Sequence, residues 1–154
     1  MTRRTLCLLT VALTLTGASA CSNDSSPTTP TPPAATQVLQ GVWSGTIATP
    51  NGEARVRMTL QSVLDGSAER ASGTYDASLG EAITTGNVTG VNVLGGVSLL
   101  FTPSGPARCP VDAASAAAGS LLFAARPDGN RLSGTGAWTQ CAVTTQVPVA
   151  VTRN

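Results

Sequence analysis

Few residues in this chain are equipped for chemistry, and their kinds narrow what that chemistry is. Cysteines stand at 7, 21, 109 and 141, nine arginines face eight carboxylates, and histidine and lysine are both absent. Without imidazole there is no Ser-His-Asp or Cys-His relay, and most zinc sites are ruled out. The catalytic couple that remains is a pair of carboxylates, for which Asp76 and Glu81, flanking a predicted turn, are the candidates. Turn carboxylates are normally solvated, so the inventory predicts a chain that is not an enzyme and that carries no metal or cofactor. A net charge of +1 is too small for a nucleic-acid footprint, and five aromatics are too few for a base-stacking platform.

These residues must be positioned by strands. From about Leu39 to Asn154 apolar and polar residues alternate almost throughout. In the stretch 53–63, Ala54, Val56, Met58 and Leu60 alternate with Arg55, Arg57, Thr59 and Gln61. One face is apolar and the other polar, as a half-buried strand requires and a helix would scramble. The same period runs through 70–76, 130–139 and the final Val147, Val149 and Val151. Eight strands are predicted, near 40–48, 53–63, 70–77, 84–93, 97–103, 119–126, 131–139 and 143–153. Turn chemistry separates them, as in Thr49-Pro50-Asn51-Gly52, Asp65-Gly66, Leu94-Gly95-Gly96 and Pro127-Asp128-Gly129. The segment 112–118 offers a turn or two and no more. The fold class is therefore all-β, an eight-stranded antiparallel up-and-down barrel over residues 39–154. Trp43, Tyr75, Phe101, Phe123 and Trp138 all share the apolar parity and are predicted core. Pro148, lacking an amide donor, marks a bulge or an imperfect closing seam.

Ahead of the barrel, residues 1–20 read as an export signal: Arg3 and Arg4, an apolar run from Leu6 to Thr16 too short to span a bilayer, then Gly17-Ala18-Ser19-Ala20. Residues 22–37 lack hydrophobic periodicity and hold four prolines between 27 and 33, the composition of a disordered tether. Losing residues 1–20 removes Cys7 and two arginines, leaving seven arginines against eight carboxylates and a net charge of −1. A short signal ending in small residues and a cysteine resembles the lipobox of bacterial lipoproteins, although that family usually has Leu where Ala18 stands. The resemblance implies that Cys21 is acylated, with palmitate, and that residues 21–38 tether the domain to the cell envelope. Ser22, rather than Asp, then implies the outer membrane for a Gram-negative source. Read without the resemblance, Ala18-Ser19-Ala20 is an ordinary cleavage site that leaves a free Cys21.

An up-and-down barrel places the remaining cysteines. The tether enters at the start of the first strand, so that end faces the membrane, and the connections 48–53, 77–83, 103–119 and 139–143 gather at the far end. Cys109 and Cys141 follow strands that run in the same direction, so both lie at the far end, in an exported domain where thiols oxidise. A disulfide is predicted, contributing roughly 3–4 kcal/mol by constraining the unfolded chain. Neither cysteine has the neighbours of a CxxC redox or metal site. The disulfide would anchor the longest loop, 103–119, whose Arg108 and Asp112 are the candidate binding residues.

Gly41-Val42-Trp43 on the first strand, with Arg153 at the end of the last, resembles the lipocalin/calycin pattern. In that family the first-strand Trp packs across the closed end of an eight-stranded barrel beneath an Arg from the final strand, which implies Trp43 and Arg153 as a barrel-closing pair. The other reading of Arg153, one residue from the last, is a frayed and solvated side chain. The family's other motifs and its C-terminal helix are absent, so the likeness concerns architecture. Together these readings imply a membrane-anchored binding module, recognising a small hydrophobic ligand or an envelope protein at the distal loops or the barrel mouth. Small barrel lipoproteins also include inhibitors of lysozymes and proteases. The alternative is thus an envelope enzyme inhibitor, or a structural interaction lipoprotein, that presents loop 103–119.

Overall fold

Period-two alternation over strands of this length has one economical outcome, a sheet that curls until its apolar face is enclosed. The computed structural model describes residues 36–154. The predicted export signal, Cys21 and the tether up to residue 35 lie outside the described residues. Eight strands follow in order: β1 (Gly41–Thr49), β2 (Gly52–Asp65), β3 (Ala68–Leu79), β4 (Ala82–Val93), β5 (Gly96–Pro103), β6 (Ser120–Asp128), β7 (Arg131–Gln140) and β8 (Val143–Arg153). Each pairs antiparallel with its neighbour in sequence, and β8 returns to β1, closing the barrel. No helix occurs among the described residues, and 113–117 form turns.

The ladders are unequal, and the inequality shapes both ends. β2 and β3 stay paired from Arg55↔Ser78 down to Asp65↔Ala68. The β1–β8 seam spans only Trp43↔Arg153 to Ile47↔Val149. It stops one residue before Pro148, which remains paired to Thr135 on the β7 side. A residue without an N–H can serve one neighbour and end the ladder with the other. The seam also needs Gly45. A Cβ at that position would run into the backbone of Ala150 and Val151, so only hydrogen lets β1 and β8 approach as they do.

Inside, the five aromatics and the alternating aliphatics form one cluster. Trp43, Phe101, Phe123, Met58, Leu60, Leu99, Leu121 and Leu132 are all buried to within 2% of fully. Tyr75 meets Phe101 edge-on, with centroids 5.2 Å apart and planes at 75°. Each large side chain enclosed in this way contributes about 1.5–3 kcal/mol. The axis of the barrel is filled by these side chains.

Candidate functional site

The distal rim carries the turns at 50–51, 80–81 and 141–142 and the long connection 104–119. Several restraints hold that connection. The Cys109–Cys141 disulfide forms as predicted, with the Cα atoms 5.8 Å apart. Cys141 and Ala142 both adopt left-handed φ values, +51° and +63°, which close the β7–β8 hairpin without a glycine. Asp112 accepts from the Ser115 amide through Oδ1 at 2.8 Å, while its own amide donates to Ser115 Oγ at 3.3 Å. That reciprocal cap winds the turns at 113–117. Hydrogen bonding by the Ser115 side chain is the main reason that the Asp112 carboxyl is held below the usual carboxylate range, with the Ser115 amide and Arg108 adding to it against a smaller desolvation effect.

Gln140 completes the anchoring. Its amide donates to the carbonyls of Ser115 (2.8 Å) and Ala118 (3.4 Å), while its oxygen accepts from Asn51 at 2.8 Å. Asn51 also donates to the carbonyl of Ala116. Ser115, Ala117 and Ala118 are buried, and Gly119 lies so close to the Trp138 indole that a Cβ would not fit. The 115–119 segment is thus packed over the distal mouth of the barrel by partners from β1–β2 and β7.

Beside this cover the rim is open. A concavity of about 260 Å³ lies between Ile83, Thr84 and Thr85 of β4 and the loop residues Ser104, Pro106 and Arg108. β4 begins at Ala82, but its ladder with β5 begins only at Gly86↔Pro103. Among the described residues, one further backbone bond there runs from the Ser104 amide to the Thr85 carbonyl, 2.9 Å. Residues two apart on a strand direct their backbone polar groups to the same side, so those of Ile83 face the concavity. The Ile83 side chain is 70% exposed at its edge. A second, smaller concavity of about 190 Å³ lies across the disulfide, lined by Pro50, Val111, Trp138 and Val143.

The predicted site residues fall unevenly on this geometry. Arg108 lines the concavity but shares its charge with Asp112 in an exposed pair at 3.3 Å. Asp112 is occupied chiefly in capping its own turn. Asp76 lies on the outer face of β3, in register with Arg57, and Glu81 is exposed in the β3–β4 turn. Among the described residues no three His, Cys, Asp or Glu side chains converge as a metal-binding group.

The proximal end holds the residues that sequence reasoning missed. Glu69 is 2% exposed and accepts four hydrogen bonds: from the amides of Val38 (2.9 Å) and Leu39 (2.8 Å), from Ser62 Oγ (2.7 Å) and from Asn92 Nδ2 (3.3 Å). Burial works against its charge. The four hydrogen bonds, that of Ser62 foremost, outweigh it and hold the carboxyl below its ordinary range. Leu39, fully buried, accepts from Trp43 Nε1 at 2.9 Å. The Arg153 guanidinium lies 5.5 Å from the centroid of the Trp43 ring system and donates to Asn130 Oδ1 (2.7 Å) and to the carbonyls of Val38 and Gln40. Glu69 was within reach of the pattern, because it shares the inward parity of Ala71 and Tyr75. The Tyr75 hydroxyl, also inward, has no partner among the described residues, and burial pushes its pKa up to about 12.

No family model matches this chain, and no curated protein matches it in sequence.

Proposed function

We propose that this chain is a bacterial lipoprotein, anchored to the envelope through an acylated Cys21, whose barrel is a rigid stand for a recognition site on the distal rim. The occupant proposed for that site is an extended segment of an envelope protein. The observation that carries the reading is the pairing of a filled barrel axis with an open groove beside the start of β4, where residues 82–84 pair with β3 but have no ladder partner on the β5 side. An extended segment can add its backbone to such an edge while a side chain packs on Ile83. A small hydrophobic ligand has no comparable seat along an axis occupied by Trp43, Phe101 and Phe123. The Arg153 cation over Trp43 supports the calycin-like reading of the closed end. Support for the anchor is the signal, the small residues before Cys21 and the proline-rich stretch after it.

Two measurements test the reading. Palmitate labelling should mark the mature chain and vanish in Cys21→Ser. Crosslinked capture of an envelope protein should fall about tenfold in Ile83→Asp, since buried apolar anchors dominate such interfaces, and less in Arg108→Ala. Capture unchanged by both rim variants, or a stoichiometric small ligand in native mass spectra of protein from its own host, refutes it. The restraint of loop 104–119 by disulfide, Asp112 cap and Gln140 favours a second reading, an inhibitor that presents this loop preformed. It requires the captured protein to be an enzyme that loses activity on binding.

A further inference from the structure

The turn joining β4 to β5 is built against its own backbone preference. Val93 pairs with Gly96 across two residues, Leu94 at φ +50° and Gly95 at φ +78°. Hairpin turns with both central residues left-handed favour Asn-Gly or Asp-Gly, and a bulky side chain at the first position is disfavoured. Leu94 adds no core contact in return, since it is 93% exposed. A strained, apolar, fully presented residue is explained by something outside the fold.

Its surroundings say what. Leu64, at the end of β2, lines the same shallow concavity as Leu94, and Val63 and Val93, both exposed, lie at the same rim. Thr36 lines that concavity too, so the chain arrives from Cys21 at this end of the barrel. Thr36 follows Cys21 by fifteen positions, with fourteen residues between them, a reach of at most about 54 Å. Glu69, gripping the Val38 and Leu39 amides, fixes the arriving chain to this rim.

We infer that the proximal rim is a membrane-contact tip, with Leu94 and Leu64 dipping into the interface of the bilayer and the distal groove held facing away from it. The inference rests on the reading of Cys21 as a lipid anchor. That anchor raises the local concentration of bilayer at the rim, so that a weak apolar contact suffices.

The test uses the mature acylated protein in phosphatidylethanolamine–phosphatidylglycerol vesicles that carry brominated acyl chains. Trp43 and Trp138 are buried, so a Trp introduced by Leu94→Trp reports on the tip alone. The expected result is loss of most of the added emission, with native emission retained. Leu94→Asn should act in opposite directions on fold and contact. It should raise the thermal midpoint by relieving the turn, yet lower partition of unanchored Cys21→Ser protein onto the same vesicles by about tenfold. Unquenched emission from protein whose acyl mass is verified overturns the tip and leaves the anchor standing. A mature chain without acyl mass overturns the anchor, and the partition of Cys21→Ser with and without Leu94→Asn then decides the tip. Equal partition overturns it, as does shielding of the tip that appears only with a second protein or at concentrations where the chain self-associates.

Discussion

Replacing Glu69 by Gln changes one oxygen to an amide nitrogen at a place where four donors converge. The carboxylate receives Leu39 N and Ser62 Oγ on Oε1, and Val38 N and Asn92 Nδ2 on Oε2. A glutamine oxygen can keep the first two. Its nitrogen then faces the other two donors. Asn92 can turn its amide over, because its Oδ1 is buried and without a partner and would accept from the new Nε2. The Val38 amide has no such remedy. Losing one charge-assisted bond costs about 1.5–3 kcal/mol, and weakening the others from charged to neutral adds to it, so about 3 kcal/mol is expected. Urea unfolding of Glu69→Gln against wild type at neutral pH measures this. The pH dependence supplies a second, independent check. A carboxyl whose folded pKa lies below the unfolded value near 4.5 stabilises the fold fully above that value, and the contribution is lost as pH falls through the folded pKa. The difference between the two proteins should therefore be constant near neutrality and shrink below about pH 4.5 as wild type loses its advantage. Amide exchange at Val38 and Leu39 should quicken in the variant. A Glu69→Gln protein within about 0.5 kcal/mol of wild type, with unchanged exchange at both amides, would refute the account of Glu69 as the clasp of the proximal end.

Two further outcomes follow from the same structure. Reducing Cys109–Cys141, or replacing both by Ser, should lower stability by about 3–4 kcal/mol for a separation of 32 residues. The barrel should persist by circular dichroism, and proteolysis should begin within 104–119, where the clamp is lost. Gly45→Ala should destabilise by about 3 kcal/mol, because its Cβ meets the Ala150 and Val151 backbone, which cannot move without parting the β1–β8 seam. A Gly45→Ala protein with wild-type unfolding and intact exchange protection across β1 and β8 would show that the seam does not depend on this close approach.

The eight strands were legible because their signal is local. Alternation along 53–63 or 147–151 states which face is buried without reference to any other segment, and Asp65-Gly66 or Leu94-Gly95 states where the chain must reverse. The pairing of Cys109 with Cys141 followed once strand direction was known. Arg108 and Asp112 were less well served. Asp112 reads as an exposed acid on a loop, and only the folded turn reveals that Ser115 occupies it. Ile83, at the groove, falls by its sequence in the predicted connection 77–83, whereas β4 already begins at Ala82, and nothing near it in sequence announces Pro106 or Arg108 as neighbours.

The sequence by itself determined the period, the turns, the direction of each strand and therefore a barrel with its long loop and both paired cysteines at one end. Tertiary structure alone decided what the two rims are made of. Glu69 breaks the apolar pattern of β3, and it is tolerable there only because Val38 and Leu39, about thirty residues upstream, bring two amides to it. Gln140 likewise finds its partners in Asn51 and Ser115, and the groove exists because the β4–β5 ladder begins late. The physical reason is one of range. Hydrophobic alternation acts between nearest neighbours along a strand, whereas satisfying a buried polar group or leaving a strand edge open depends on register and closure, which the chain settles only when β8 reaches β1.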